Sequence, residues 1–286
     1  MAEERKKHLK KPDWLKIKLP GGKKFTSVKE IVESNKLHTI CSSGNCPNMG
    51  ECWNAGTATF MILGDICTRS CRFCATKTGR PLPVDNGEPM RLAESISLMK
   101  LRHCVITSVD RDDLPDGGAA HWAECIRQIK RVNPGVTIEV LIPDFSGNTK
   151  DLDLIISEKP DIISHNLETV KRLTPQIRSA ARYERSLKVL KHIASSGLKA
   201  KSGIMVGIGE NETEVFETMD DLLEAGVEIM TIGQYLRPTL EHLPVEAYIT
   251  PEIFEKYRLA GIEKGFRHIE SRPLVRSSYH AEKHVE

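Results

Sequence analysis

Three cysteines within an eight-residue segment place the strongest restriction on what this chain can fold into. Cys67, Cys71 and Cys74 have the spacing C-x3-C-x2-C in the stretch DICTRSCRFCATK, directly after the apolar run TFMIL. Three thiolates this close together can bind three corners of one [4Fe–4S] cube and leave the fourth iron open to an external ligand. The alternative is a structural zinc site, which normally needs four protein ligands and paired C-x2-C knuckles. The isolated triplet therefore favours a cluster.

A second cysteine triplet ends fifteen residues before Cys67. Cys41, Cys46 and Cys52 have the different spacing C-x4-C-x5-C, and they too lack a fourth cysteine. This pattern indicates a second cluster, used for chemistry or only for structure or electron relay. The remaining cysteines, Cys104 and Cys125, have no partner spacing and are predicted to be small buried core residues.

Composition excludes several other classes of protein. The 286 residues are 40% hydrophobic and 28% charged, as in ordinary soluble globular chains. A formal net charge of +2 predicts no nucleic-acid partner. No apolar run approaches the ~20 residues of a membrane span, and the lysine-rich start lacks the apolar core of an export signal. We therefore expect a cytoplasmic protein whose clustered cysteines bind metal rather than form disulfides.

Short apolar runs alternate with amphipathic segments from Thr57 onward. This pattern predicts parallel strands joined by right-handed crossover helices. Six such units are too few for a closed eightfold barrel, so we predict an open (β/α)6 barrel with a lateral mouth. The predicted strands are Thr59–Leu63, Cys104–Ser108, Thr137–Leu141, Ile162–Ser164, Lys199–Val206 and Glu228–Ile232. The predicted helices are Glu88–Leu101, Ala119–Val132, Asp151–Glu158, Tyr183–Ser195, Glu212–Ala225 and Pro251–Lys264.

Residues 1–24 are rich in lysine and poor in apolar side chains. They are interpreted either as a solvated tail or as a basic arm that meets an acidic protein substrate. The segment Pro12–Leu15 is predicted to touch the body of the protein. A first helix is predicted to begin near Thr26, with Thr26 or Ser27 as its N-cap. The second cysteine triplet is expected in a loop, because Gly44, Pro47 and Gly50 interrupt it.

Polar stretches follow five of the predicted strands, where parallel barrels collect their functional groups. We therefore expect one common mouth, lined by the cysteine loop, Thr107–Gly118, Ser164–Glu168, Gly203–Glu210 and Gly233–Pro238. The acidic run Asp110–Asp116 is predicted to be a solvated loop. The role of Arg237 stays open between binding a carboxylate and pairing with an acidic residue of the barrel.

Three motifs carry a family resemblance. The C-x3-C-x2-C loop, with Phe73 before its last cysteine, resembles the cluster loop of radical S-adenosylmethionine (SAM) enzymes. The C-x4-C-x5-C motif and the terminal run Arg276–His280 (RSSYH) resemble motifs of the lipoyl synthase family. The resemblance covers roughly Trp14 to His280. It implies an N-terminal extension over 1–56, a radical SAM partial barrel over 57–270 and a C-terminal tail over 271–286.

The resemblance also implies the site residues. Cys67, Cys71 and Cys74 would hold the cluster whose open iron binds SAM. The other triplet would hold an auxiliary cluster, with Ser278 as its fourth ligand and Ser277 as the fallback. The residues implied to contact SAM are Phe73, Asn166, Glu168, Gly203 and Gly207; for Asn166 and Glu168, a role as strand-end caps is equally open.

The activity implied is sulfur insertion at C6 and C8 of an octanoyl group on a lysine of a lipoyl carrier protein. The cofactors would be SAM and two [4Fe–4S] clusters, of which the auxiliary one supplies the sulfur. The implied partners are the octanoylated carrier, a flavodoxin or ferredoxin reductant and an iron–sulfur carrier protein that repairs the cluster. The competing hypotheses are another radical SAM sulfur inserter, such as a methylthiotransferase, and a non-catalytic zinc-binding module.

Overall fold

The computed structural model describes residues 9–17, 21–55 and 57–284, and a mostly parallel sheet forms the centre of the fold. Eight strands pair in the order β1-β2-β5-β6-β7-β8-β9-β10, in which β1 is antiparallel to β2 and the other pairs are parallel. Strands β3 and β4 form a separate parallel pair. The strands are β1 (His38–Thr39), β2 (Thr59–Ile62), β3 (Ile66–Cys67), β4 (Lys77–Thr78), β5 (His103–Ser108), β6 (Thr137–Leu141), β7 (Ile162–Ser164), β8 (Lys199–Val206), β9 (Ile229–Gln234) and β10 (His268–Ser271).

Helices connect the parallel strands and cover the outer face of the sheet. In α5, for example, Trp122, Ile126 and Ile129 are fully buried because their three- and four-residue spacing places them on one face. The helices are α1 (Lys23–Ser34), α2 (Ile40–Ser43), α3 (Met49–Ala55), α4 (Glu88–Leu98), α5 (Ala119–Val132), α6 (Thr149–Ser157), α7 (Thr174–Ile177), α8 (Tyr183–Ser195), α9 (Glu212–Glu224) and α10 (Pro251–Lys264). Within the described ranges, no helix has the length and apolar character needed to cross a bilayer.

The predicted open barrel is confirmed, because in the described residues the sheet ends at β1 and β10 without closing. Helices α5, α8 and α10 begin and end at the predicted residues. A seventh parallel strand, β10, was not predicted. Its four residues alternate between buried and half-buried, so they do not form an apolar run. The strand predicted at Glu228–Ile232 lies at Ile229–Gln234.

The N-terminal predictions need two corrections. Helix α1 begins at Lys23 after Gly22, which has no side chain to act as a cap, and the Asn54 side chain instead accepts a hydrogen bond from Phe25 N. Cys41 and Cys52 lie in the short helices α2 and α3 rather than in a loop. The predicted contact of Pro12–Leu15 with the body is confirmed, since Leu15 is fully buried. Lys6, Lys7 and Lys18 of the predicted basic arm lie outside the described residues.

The segment after β10 runs from one end of the sheet to the other. Asn48 Nδ2 donates a 2.7 Å hydrogen bond to Leu274 O, and Thr59 Oγ1 in β2 donates one of 2.8 Å to Ser278 Oγ. The chain then turns into the barrel, where Lys201 Nζ lies 3.2 Å from Nδ1 of the buried His284. This segment, residues 272–284, is called the tail below, and it bridges the two open ends of the sheet.

Candidate functional site

The two cysteine triplets line two adjoining cavities that share a wall. The larger cavity, about 520 Å³, lies at the carboxyl ends of the strands and contains Cys67, Cys71 and Cys74 in its lining. The smaller cavity, about 140 Å³, is lined by Cys41, Cys46, Cys52 and Ser278. The residues common to both linings are Cys41, Cys46, Thr59, Arg276 and Ser278.

In the first triplet, Cys67 ends β3, and Cys71 and Cys74 lie in the loop between β3 and β4. Cys67 Sγ accepts hydrogen bonds from Arg69 N at 3.4 Å and from Asp110 N at 3.3 Å. Burial, and then the Asp110 carboxylate, raise the pKa of Cys67 to about 12, and burial also raises the pKa of Cys74. Thiolates in such a place need a positive partner, and a bound metal would supply one.

The acidic run after β5 is only in part the solvated loop that was predicted, because Asp112 and Asp113 are exposed whereas Asp110 is half-buried. The guanidinium of the buried Arg69 lies 3.1 Å from Asp110, 2.7 Å from Asp112 and 2.9 Å from the fully buried Asp144. Burial opposes ionisation of Asp144, but Arg69 in particular lowers its pKa to about 2. Arg69 belongs to the cysteine loop, so these ion pairs fasten that loop to the ends of β5 and β6.

The second triplet is assembled by two short helices. The Thr39 hydroxyl accepts a hydrogen bond from Ser42 N and caps α2, and Cys46 N donates to Cys41 O at 3.0 Å. Burial raises the pKa of Cys46, and it raises that of Cys52 to about 12, with neighbouring thiols adding to each effect. The influence of these thiols on one another's pKa is consistent with the three cysteines lying close together.

The donor set fits an iron–sulfur cube better than a single metal ion. In the part of the chain that the structure describes, no three His, Cys, Asp or Glu side chains converge on one ion. A cube instead needs thiolates spread around its corners. The half-buried Arg276 lines both cavities, and its removal from water lowers its pKa while Cys46 acts in the opposite direction. A guanidinium in this position suits an anionic occupant.

The two tail serines differ in the cavities that they line and in their hydrogen-bond partners. Ser278 lines both cavities and accepts the hydrogen bond from Thr59. Ser277 lines only the larger cavity, where Asn166 Nδ2 donates to its Oγ at 2.6 Å. Only Ser278 therefore shares the smaller cavity with Cys52, which supports the predicted choice of Ser278 over Ser277 as the fourth ligand.

The strand ends meet at one mouth, as predicted. Asn166 and Glu168 follow β7 and line the larger cavity together with Phe73 and Gly203. Glu168 has a positive φ of 68°, and burial raises the pKa of its carboxyl group. Such backbone strain in a non-glycine residue is concentrated at functional sites.

The two glycines predicted to contact SAM have different surroundings. Gly203 lies so close to Thr231 that a Cβ atom would stand 2.3 Å from Thr231 Oγ1. Gly207 is not in the lining of the larger cavity; it has a φ of 94°, and a Cβ there would lie 2.2 Å from Gln234 Nε2. The structure thus gives Gly207 a role in a tight turn rather than at the cavity.

Several lining residues were not predicted from the sequence. Arg178 Nη1 donates to Asn166 O at 3.1 Å, and Lys11 and Ile17 reach the cavity from the N-terminal segment. No motif around these residues could have identified them. Arg237, whose role was left open, lines the cavity and donates from Nε to His242 O at 2.9 Å, so it holds its own loop. Cys104 and Cys125 are buried core residues, as predicted.

Two family models match the sequence. The radical SAM superfamily matches residues 61–222, and the N-terminal domain of lipoyl synthase matches residues 1–46. The curated lipoyl synthase of Phocaeicola vulgatus is 66% identical over 278 residues, which are 97% of this chain and 98% of that protein. A mitochondrial lipoyl synthase of Nematostella vectensis is 60% identical, over 96% of this chain and 95% of that protein.

Solved structures agree on the fold. SuiB of Streptococcus suis bound to its precursor peptide SuiA has a TM-score of 0.59 at 10% identity, over 78% of this chain and 52% of SuiB. Methylornithine synthase (PylB) has a TM-score of 0.56 at 12% identity, over 74% of this chain and 70% of the PylB chain. At these identities the similarity concerns the fold alone, and it agrees with the open barrel.

Proposed function

This chain belongs to the lipoyl synthase family of radical SAM enzymes, and we propose that it inserts two sulfur atoms, at C6 and C8, into an octanoyl group carried on a protein lysine. The observation that supports this function most directly is the shared wall between the two cysteine-lined cavities. A substrate chain in the larger cavity would lie beside both triplets. We also propose the domain boundaries given above: 1–56, 57–270 and 271–286.

When bound, the first cluster and SAM would supply a 5′-deoxyadenosyl radical for hydrogen abstraction from unactivated carbon, and the auxiliary cluster would supply sulfide. The protein's part is to hold these groups next to each other. Cys67, Cys71 and Cys74 would bind the first cluster. The Arg69 ion pairs keep that loop fixed relative to the ends of the strands.

Cys41, Cys46, Cys52 and Ser278 would bind the auxiliary cluster. An alkoxide is a harder and less usual iron ligand than a thiolate, so we expect the serine corner to be the one that opens. Thr59 donates a hydrogen bond to Ser278 Oγ, and the same bond would stabilise the deprotonated oxygen. The strength of this corner would therefore depend on Thr59.

Asn166, Glu168, Gly203 and Phe73 would bind SAM. Asn166 Oδ1 is buried and, among the described atoms, without a hydrogen-bond partner, so it is free to accept from the ammonium or a ribose hydroxyl. The carboxyl group of the half-buried Glu168 could accept from a second donor. Gly203 would let the cofactor approach the end of β8 closely.

The substrate would enter through the lateral mouth. Ile17 and Leu236 add apolar surface to the lining, which suits an octanoyl chain, and Lys11 adds a positive charge at the N-terminal segment. The partners we propose are an octanoylated lipoyl carrier protein, a flavodoxin or ferredoxin as electron donor and an iron–sulfur carrier protein that rebuilds the auxiliary cluster. The proposed compartment is the cytoplasm.

A single anaerobic turnover tests this function. The reconstituted protein would be mixed with SAM, a reductant and an octanoyl-lysine peptide, and the mass of the peptide would be measured by mass spectrometry. We expect a gain of two sulfurs with loss of hydrogens. Cys46→Ala should abolish the gain while 5′-deoxyadenosine still forms, and Cys104→Ala, a core cysteine, should retain the gain.

Two results would contradict the proposal. Formation of 5′-deoxyadenosine by the unaltered protein with an unchanged peptide would leave radical SAM chemistry in place but remove the lipoyl assignment. Analysis that finds zinc instead of iron and sulfide would favour the non-catalytic binding module.

A further inference from the structure

Two consecutive residues of the tail are hydrogen-bonded to different partners, Ser278 at the wall shared by the two cavities and Ser277 in the larger cavity only. Ser278 Oγ accepts from Thr59 beside the second cysteine triplet. Ser277 Oγ accepts from Asn166 Nδ2, at 2.6 Å, on the side of the first triplet. The residue that would complete the auxiliary site is thus one peptide bond from a residue that touches the proposed SAM pocket.

Asn166 is held on three sides. Its Nδ2 donates to Glu168 Oε1 at 3.1 Å as well as to Ser277, and its carbonyl oxygen accepts from Arg178. Both amide hydrogens therefore have acceptors. This arrangement leaves Oδ1 as the one polar atom of the side chain without a described partner, and the residue lines the larger cavity.

We infer that Ser277 is a positioning residue for the SAM pocket, which it serves by fixing the Asn166 amide so that Oδ1 accepts a hydrogen bond from the cofactor. The inference rests on the function proposed above. Without the Ser277 hydroxyl, the amide loses one of its two acceptors and is free to rotate away from the orientation that binds the cofactor.

The adjacency of the two serines links cofactor affinity to the auxiliary site. When the tail moves away from the wall between the cavities, the hydrogen bond between Asn166 and Ser277 and the hydrogen bond between Thr59 and Ser278 break together. SAM would consequently bind tightly only while the tail is seated. Radical formation would then be confined to the state in which the tail is seated.

Equilibrium dialysis of SAM against the reconstituted protein tests the inference. We expect Ser277→Ala to weaken the Kd for SAM about tenfold. Ser277→Thr keeps the hydroxyl and should restore the affinity. In an Asn166→Ala background, Ser277→Ala should cause no further loss, because the hydroxyl acts through that amide. Iron content and the auxiliary-cluster signal in electron paramagnetic resonance should not change in Ser277→Ala.

Hydrogen exchange provides a second readout. SAM should slow amide exchange in residues 275–280 of the unaltered protein and have little effect there in Ser277→Ala. An unchanged Kd and unchanged exchange in Ser277→Ala would overturn the inference. Loss of auxiliary iron at an unchanged Kd would also overturn it, by making Ser277 the ligand, and would leave the lipoyl function intact. If the unaltered protein bound no SAM, the proposed function would fail with it.

Discussion

Thr59 Oγ1 donates a hydrogen bond of 2.8 Å to Ser278 Oγ, although 219 residues separate the two in the sequence. The bond joins the first residue of β2 to the tail at the wall between the two cavities. It therefore helps the tail to bridge the open ends of the sheet, and it is also a contact to a proposed cluster ligand.

Replacing Thr59 by valine removes this hydroxyl and keeps the shape of the side chain. We expect the free energy of unfolding to fall by about 1 kcal/mol. We also expect faster loss of iron from the auxiliary site during anaerobic desalting, with the first cluster retained. Thr218→Val is the matched control, because Thr218 is equally buried and donates at 2.8 Å to Glu214 O, far from the cysteines. Equal iron retention in both variants would contradict the role given to Thr59.

The ion pair between Lys201 and Glu139 lies inside the barrel, with Nζ 2.8 Å from Oε1 and both side chains buried. Removing one partner leaves an uncompensated charge, so Lys201→Met should cost about 3–5 kcal/mol in the free energy of unfolding. The double variant Lys201→Met with Glu139→Leu should recover most of that loss. Urea unfolding of the two single variants and the double variant measures the coupling. Additive losses would show that the pair is not what stabilises the barrel interior.

His165 makes stability depend on pH. Burial lowers its pKa from 6.5 to about 4, and Arg178 adds to this shift. The unfolded chain therefore takes up a proton before the folded chain does, so the stability is complete above pH 6.5 and is lost as the pH falls toward 4. This histidine should account for a loss of about 1.4 kcal/mol between pH 7.5 and 5.5.

Urea unfolding at these two pH values checks the effect. His165→Gln should reduce the pH dependence by that amount. His192→Gln, which alters a histidine at the protein surface, should retain the full dependence. An identical pH dependence in His165→Gln, His192→Gln and the unaltered protein would contradict the lowered pKa of His165 in the folded state.

Arg69 is the cation shared by Asp110, Asp112 and Asp144. Arg69→Met should cost about 3–5 kcal/mol, since it leaves buried carboxylate without its main partner. The cysteine loop should also lose its anchor. Iron analysis should then show poorer filling of the first cluster site and normal filling of the auxiliary site.

Arg127→Met is the matched control for Arg69→Met. Arg127 is exposed and forms surface ion pairs with Glu124 and Glu158. Such pairs contribute about 0–1 kcal/mol. Comparable effects of the two substitutions would rule out an anchoring role for Arg69.

The sequence was informative where the signal is local. Spacing within short segments identified both cysteine triplets, and apolar periodicity placed α5, α8 and α10 at their observed ends. Strand β10 escaped prediction because residues 268–271 contain a single apolar side chain, Ile269, and are too few to form a recognisable pattern.

Contacts between distant segments were beyond what the sequence could predict. Nothing in the acidic run after β5 reveals that Arg69, some forty residues upstream, neutralises it, so a solvated loop was the reasonable expectation. Likewise, the motif around Ser277 and Ser278 does not reveal which serine faces which cavity. That distinction depends on Thr59, the first residue of β2, and on Asn166, which follows β7. Both residues contact the tail only in the folded barrel.

The separation of Thr59 and Ser278 also sets an order in which the two sites can be built. Cys67, Cys71 and Cys74 lie within eight residues, so a chain that has not yet folded already holds them within reach of one cluster. In the proposed site, the second triplet would acquire Ser278 only after the intervening strands and helices have brought the tail back, because this contact has a very high sequence separation. Completion of the auxiliary site is therefore an outcome of folding, and its occupancy can serve as a check that the barrel has been assembled correctly.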